Sequence, residues 1–327
     1  MAGEDKKSIK YFTANRYEPT RTRGRCPIKN SRCLCGLWLI LLLFISCQSS
    51  PNVPNTRQDE NSIPLAAGAS VYLFADVREA RPIINLLPAE ELKDNQVRQM
   101  IDRTSFAAAA LFPKESGYSF QITAWGNYPG SIAKVAFNAN KSWQKKRSEQ
   151  GYQYWHSPVD RISIAITQRN VFVVSMLNDT RSDPFLTGAQ FPEGFNEFRL
   201  GSGGMSRVIL SCWVESPGPI FQRILSQTGV PIRVPIRQLF INLHNASSQQ
   251  MYEAVIRLQL ESAAHARGLA SILSIAGNFT SNDPELKLAM LFLANPPIQN
   301  GINLDIKTNP MRIEEISQLI NMLGKIL

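Results

Sequence analysis

From residue 68 onward, short apolar runs alternate with polar loops, and the order of those runs occurs twice. In the first half ASVYLFADV (Ala69 to Val77) is rich in β-branched and aromatic residues and predicts a strand. REARPIINLLP then predicts a short helix ended by Pro88. RVILSCWVE (Arg207 to Glu215) and PGPIFQRILS repeat that pair in the second half. TSFAAAALF (Thr104 to Phe112) and YSFQITAWG (Tyr118 to Gly126) correspond to IRQLFINLH (Ile236 to His244) and MYEAVIRLQL (Met251 to Leu260). A helix follows in each half, PGSIAKVAFNAN from Pro129 and SAAHARGLASILSIAG from Ser262. Two further strands close each half: ISIAITQ with NVFVVSML, and LKLAMLFLA with INLDIKT.

The expected architecture is α+β. It consists of two similar sheet-plus-helix lobes, a duplicated β-α-β-β-α-β-β unit with antiparallel or mixed sheets backed by helices on one face. The lobes span 68–200 and 207–327, with a hinge at 201–206 where Gly201, Gly203 and Gly204 admit any backbone geometry. The last segment, PMRIEEISQLINMLGKIL, sets Ile313, Ile316, Leu319, Ile320 and Leu323 on one helical stripe. That stripe suits docking on the sheet. A place in a bilayer surface is the alternative, which Glu314 and Glu315 oppose where head groups are anionic.

The most apolar stretch lies earlier. Leu34 to Ile45 is apolar apart from Cys35 and Gly36, follows Arg32, and stops at Ser46, Cys47, Gln48. A spanning helix needs about 20 apolar residues, so this run is too short; a basic flank, a short apolar run and a small residue match an export signal. Leu43-Phe44-Ile45-Ser46-Cys47 resembles the lipobox of bacterial lipoproteins, in the relaxed form of spirochaetes that tolerates Phe. The resemblance implies cleavage after Ser46, a diacylglyceryl group on the Cys47 thiol, and a fatty acid such as palmitate on the new amino group. Residues 1–46 are then a signal peptide and 47–67 a lipidated tether of Ser, Asn, Pro and Gln. The implied location is a bacterial cell membrane or outer membrane, on its periplasmic or surface side. One acyl chain binds only reversibly, whereas several make release negligible.

Charge and cysteine usage change meaning once the leader is set apart. The formal charge is +9, but residues 1–46 hold nine Lys/Arg against three acids, leaving only +3 for the remainder. A nucleic-acid partner is not implied. Only Cys212 lies beyond Cys47, so no internal disulfide is expected.

No stretch assembles a catalytic or cofactor site. GSGGMS lacks the Lys of a phosphate loop and precedes a strand. His156, Ser157 and Asp160 are too close in sequence to aim at one another as a triad, and His244 and His265 stand without metal-ligand spacing. Glu90-Glu91 and Glu314-Glu315 have no complementary base.

The segment Lys141 to Ser157 is the most distinctive. It combines Lys145, Lys146 and Arg147 with Trp143, Tyr152, Tyr154 and Trp155. Rings at head-group level beside cations suit a membrane or partner surface. An alternating strand YQYW preceded by a basic turn is the plainer reading.

Two functional expectations follow. In one, a non-enzymatic envelope lipoprotein presents its body to a protein, lipid or other envelope component. In the other, the body itself binds or perturbs lipid, through an apolar groove between sheet and helices or through the C-terminal helix. Binding of the unacylated body to vesicles separates them. No metal or cofactor is expected in either.

Overall fold

The computed structural model describes residues 65–86, 95–114, 117–148, 151–166, 171–176, 191–192, 194–200, 208–218, 235–246, 251–276 and 295–318. The predicted hinge, the helix predicted after Glu215, the strand LKLAMLFLA and residues 319–327 lie largely or wholly outside these. The strands are β1 (Val71–Asp76), β2 (Thr104–Lys114), β3 (Gly117–Gly126), β4 (Gln144–Arg147), β5 (Gln153–Ser157), β6 (Ile162–Ile166) and β7 (Val171–Ser175), followed by β8 (Val208–Glu215), β9 (Ile236–Asn245), β10 (Met251–Leu260), β11 (Ile298–Asn300), β12 (Asn303–Lys307) and β13 (Met311–Arg312). The helices are α1 (Val77–Ile84), α2 (Asn95–Arg103), α3 (Gly130–Ala139), α4 (Phe195–Leu200) and α5 (Ala263–Ala276), and a further helix runs over 313–318.

All strands join one antiparallel sheet, in the order β11-β12-β10-β9-β8-β1-β2-β3-β7-β6-β5-β4, with β13 beside β10. The α+β expectation holds. The two halves, however, share this sheet rather than carrying one each, because β1 pairs with β8 from Val71↔Val214 to Ala75↔Leu210. No local pattern announces a pairing between strands so far apart in sequence.

Side chains alternate across the sheet, so register assigns the faces. Leu73, Ala109, Ile122, Cys212, Ile241 and Val174 share one face; Tyr72, Ala110, Gln121, Trp213 and Phe240 share the other. The first is the helical face. There α3 buries Ala133 and Phe137 over Trp155, Ile164 and Val174, while α5 packs Ala266, Leu269, Ala270 and Leu273 over Leu239, Leu258 and Leu304. The i, i+3, i+4, i+7 spacing of those α5 residues makes the stripe. At its start Ser262 caps the helix, its Oγ accepting from His265 N at 3.2 Å.

α1 starts where β1 ends, because Asp76 caps it by accepting from Arg78 N and Glu79 N at 3.2 and 3.4 Å. Its Ala80 and Ile83 pack with Ile209, Tyr252 and Met311. Ile316, on the helix over 313–318, is buried in the same cluster, so the described part of the C-terminal helix is docked, as one of the two readings had it. Gly126 is required by a close approach, since a Cβ there would meet the Arg103 carbonyl oxygen, to which Asn127 N donates at 2.9 Å.

The opposite face is closed by chain rather than by long helices. Leu65, Ala69, Phe195 and Phe198 cover Tyr72, Phe74, Ala110, Trp213 and Phe240. Leu65 is only 2% exposed, so the folded body begins before residue 68 and the last residues assigned to the tether belong to it. Ala66 N donates to Gln121 Oε1 at 2.7 Å, and the Tyr72 hydroxyl donates to Ala66 O at 3.1 Å. Deeper in, Ser211 Oγ donates to Asn242 Oδ1 at 2.7 Å while Asn242 Nδ2 donates to Phe198 O at 2.5 Å, satisfying a buried amide and holding α4 on the sheet.

Candidate functional site

Cys47 and Ser46 lie outside the described residues, which begin at Leu65. The sites that geometry can address are the segment Lys141 to Ser157 and the helical face.

The segment forms a hairpin, β4 against β5, whose turn is tightened by Tyr152 N donating to Ser148 Oγ at 3.0 Å and by Gly151 at a φ of 84°. Three of its four rings, Trp143, Tyr154 and Trp155, do not reach solvent as an interfacial surface would require. Trp155 is fully buried and stacks on Phe137 of α3, with its Nε1 donating to Asn138 Oδ1 at 3.0 Å. Trp143 packs edge-on against the same Phe137. Tyr154 is buried on the other side of the strand with Ala165 and Val173. β5 is covered on both faces, so consecutive aromatic residues are core. The expectation of a ring-bearing membrane or partner surface is therefore corrected for Trp143, Tyr154 and Trp155. Tyr152, in the turn, stays exposed, as do Lys145 and Arg147 on β4, with Lys146 half-buried.

Neighbouring polar groups are structural. His156 Nδ1 faces Ser163 Oγ at 3.0 Å across the ladder, while Ser157 Oγ donates to Asp160 Oδ2 at 2.8 Å in the following turn. Adjacent on a strand, His156 and Ser157 point to opposite faces, so the imidazole does not address the Ser157 hydroxyl. His265 is exposed on the first turn of α5, and His244 is buried at the end of β9.

The helical face carries a feature that the residue pattern had not singled out. Tyr118 (66% exposed) and Ile122 on β3, Val135 (68%) on α3, and Ile272 and Ile275 (61%) on α5 are all exposed large apolar side chains. Tyr118 and Ile122 alternate with the faces as Phe120 does, toward the helices; Val135 lies opposite the buried Ala133 and Phe137, and Ile272 and Ile275 opposite the packed stripe of α5. Three separate elements thus present apolar groups on the helical side of the sheet. Between α3 and α5 the sheet adds half-buried Leu73, Ala109, Leu111 and Cys212. Burial among such neighbours pushes the Cys212 thiol up to about 12, so it stays protonated and unreactive at neutral pH. α5 has Arg267 and His265 but no acid. Exposed apolar groups gathered on one side of a protein mark an interaction surface. The burial pattern of α5 could have signalled this, because SILSIA leaves isoleucines outside the stripe that the sheet consumes.

No helix among the described residues is long and apolar enough to cross a membrane, which says nothing of strands. No curated protein matches the sequence. Among solved structures, the chain is similar to crystal form III of TP0453, at 20% identity and a TM-score of 0.51, over 79% of this chain and 96% of that one. Crystal form IV gives 18% identity and a TM-score of 0.52, over 79% and 94%. These likenesses bear on fold alone. The sequence itself matches, over residues 64–279, the family model described as outer membrane-associated lipoprotein TP0453. The chain belongs to the family of the outer membrane-associated lipoprotein TP0453, and it is a lipid-anchored protein of the bacterial envelope.

Proposed function

We propose that this is a non-enzymatic lipoprotein, anchored through acyl chains on Cys47 after cleavage behind Ser46, whose folded body lays its helical face on the lipid of the membrane that holds it. The observation that carries this is the exposure of Tyr118, Ile122, Val135, Ile272 and Ile275 on the helical side of the sheet. Lipid is the fitting occupant because the family is outer membrane-associated and a surface presenting aliphatic groups beside Arg267, with no acid on α5, suits acyl chains below anionic head groups. The same orders β1-β2-β3-α3 and β8-β9-β10-α5 support reading the two arms as copies of one unit, which would explain why each arm contributes one exposed helix to that face.

The test uses protein beginning at Gln48, which lacks acyl chains, in flotation with phosphatidylglycerol vesicles. It should float with them. Ile272→Glu with Ile275→Glu should reduce binding at least about tenfold, the scale of withdrawing one or two buried aliphatic side chains. No flotation of the parent protein, or flotation indifferent to those substitutions, overturns the reading.

A further inference from the structure

The hairpin that does not serve as a ring-bearing interface has a hydrogen-bonding edge that no strand pairs among the described residues. Among the described residues β4 closes the sheet, with β5 on its inner side. Ser148 N donates to Tyr152 O at 2.8 Å, and the pairs Lys146↔Tyr154 and Gln144↔His156 fall in step with it, so their main-chain groups point inward to β5. In an antiparallel ladder the alternate pairs point theirs outward. Those are Lys145↔Trp155 and Arg147↔Gln153. The two residues whose N–H and C=O face the open edge are therefore both cations, both exposed, with side chains on the same face.

This pairing of features selects among occupants. A second copy adding β4 to β4 would set cation against cation, and like charges directly opposite are destabilising. A lipid surface would use the charges but not the row of main-chain donors and acceptors, and of the hairpin's rings only Tyr152 is exposed to seat in it. An incoming strand with acids at every second position uses both. Its main chain bonds to Lys145 and Arg147, and its acidic side chains stand directly opposite theirs. We propose that the β4 edge binds an extended segment of another protein bearing Asp or Glu at alternate positions, added as a further strand. This site is at the end of the sheet remote from α5; the side chains of Lys145 and Arg147 share the helical face with Trp155, and what sets the site apart from a lipid contact is its row of main-chain donors and acceptors.

The experiment titrates the full-length protein, in detergent, against a fluorescent peptide of alternating Glu and Thr and follows anisotropy. Binding is expected, weakened by salt, and reduced about tenfold or more by Lys145→Glu with Arg147→Glu, the scale of reversing two cross-strand pairs. Lys145→Gln with Arg147→Gln should give a smaller loss. With the unsubstituted protein, N-methylation of the Glu amides should abolish binding, because those amides face the edge, whereas N-methylation of the Thr amides should leave it. No binding, equal behaviour of the two methylated peptides, or indifference to charge reversal overturns the proposal. So does charge reversal that releases phosphatidylglycerol vesicles from a protein that never bound the peptide, which would make the edge a membrane contact.

Discussion

The two ends of the sheet use apolar residues in opposite ways. At the β4–β5 end, the aromatic residues are consumed by the core: α3 lies over Trp155, and cations are left outside. At the α5 end, the sheet is satisfied by Ala266, Leu269 and Leu273, and aliphatic residues are left outside. A composition that looks interfacial can thus be a core, and a bland Ala-Ser-Ile helix can be the surface. What decides is whether an element is covered on one side or on both.

Substitution separates the two ends. The largest effect is expected for Trp155→Ala, which removes a fully buried ring stacked on Phe137 and should cost about 3–5 kcal/mol in denaturant unfolding, as large-to-small core changes do. Were Trp155 a surface anchor, stability would hardly change and vesicle binding would fall. A loss of a few kcal/mol at most is expected in alkali. Burial raises the Cys212 thiol from 9.0 and the Tyr128 phenol from 10.0, each to about 12, Tyr128 despite its 2.6 Å contact with Thr104 Oγ1. The unfolded chain releases these protons first. Stability from them is therefore full below about pH 9 and declines as pH rises toward 12. Cys212→Ala should delay the onset toward pH 10, leaving the part due to Tyr128 at the hairpin end, as read by thermal melts across that range. The smallest effect belongs to the outward face: Ile275→Glu alone should alter stability by no more than about 0.5 kcal/mol. A loss several times larger would mean that this side chain is packed in the protein rather than presented to lipid.

Much of this arrangement was legible in the residue pattern. The apolar pattern located β1, β2, β3, β6 to β10 and β12, together with α1, α3, α5 and the helix over 313–318. What was hidden depends on contacts distant in sequence. The joining of the halves rests on β1 meeting β8, the direction of Tyr154 and Trp155 rests on β5 being covered twice, and the inclusion of Leu65 and Ala66 in the body rests on Ala66 reaching Gln121. Buried polar groups were equally silent, because Ser211 and Asn242 in an apolar strand declare themselves only once they are seen to satisfy each other. α2 was missed as well. NQVRQMIDR has few apolar residues to set a period, and its end is held by Arg81 Nη2 donating to Asp102 O at 2.7 Å.

The clamp of Leu65 and Ala66 on the middle of the sheet has a mechanical consequence. With acyl chains at Cys47, eighteen residues of chain separate the membrane from that clamp, a reach of at most about 60 Å. A body of this size has a radius of gyration of about 18 Å. At full extension that length exceeds the body, so an anchor at Cys47 would not by length alone dictate which side meets the membrane. Under the proposed reading, orientation then falls to the protein's own flanks, and charging the greasy one would free the molecule to turn without letting it leave.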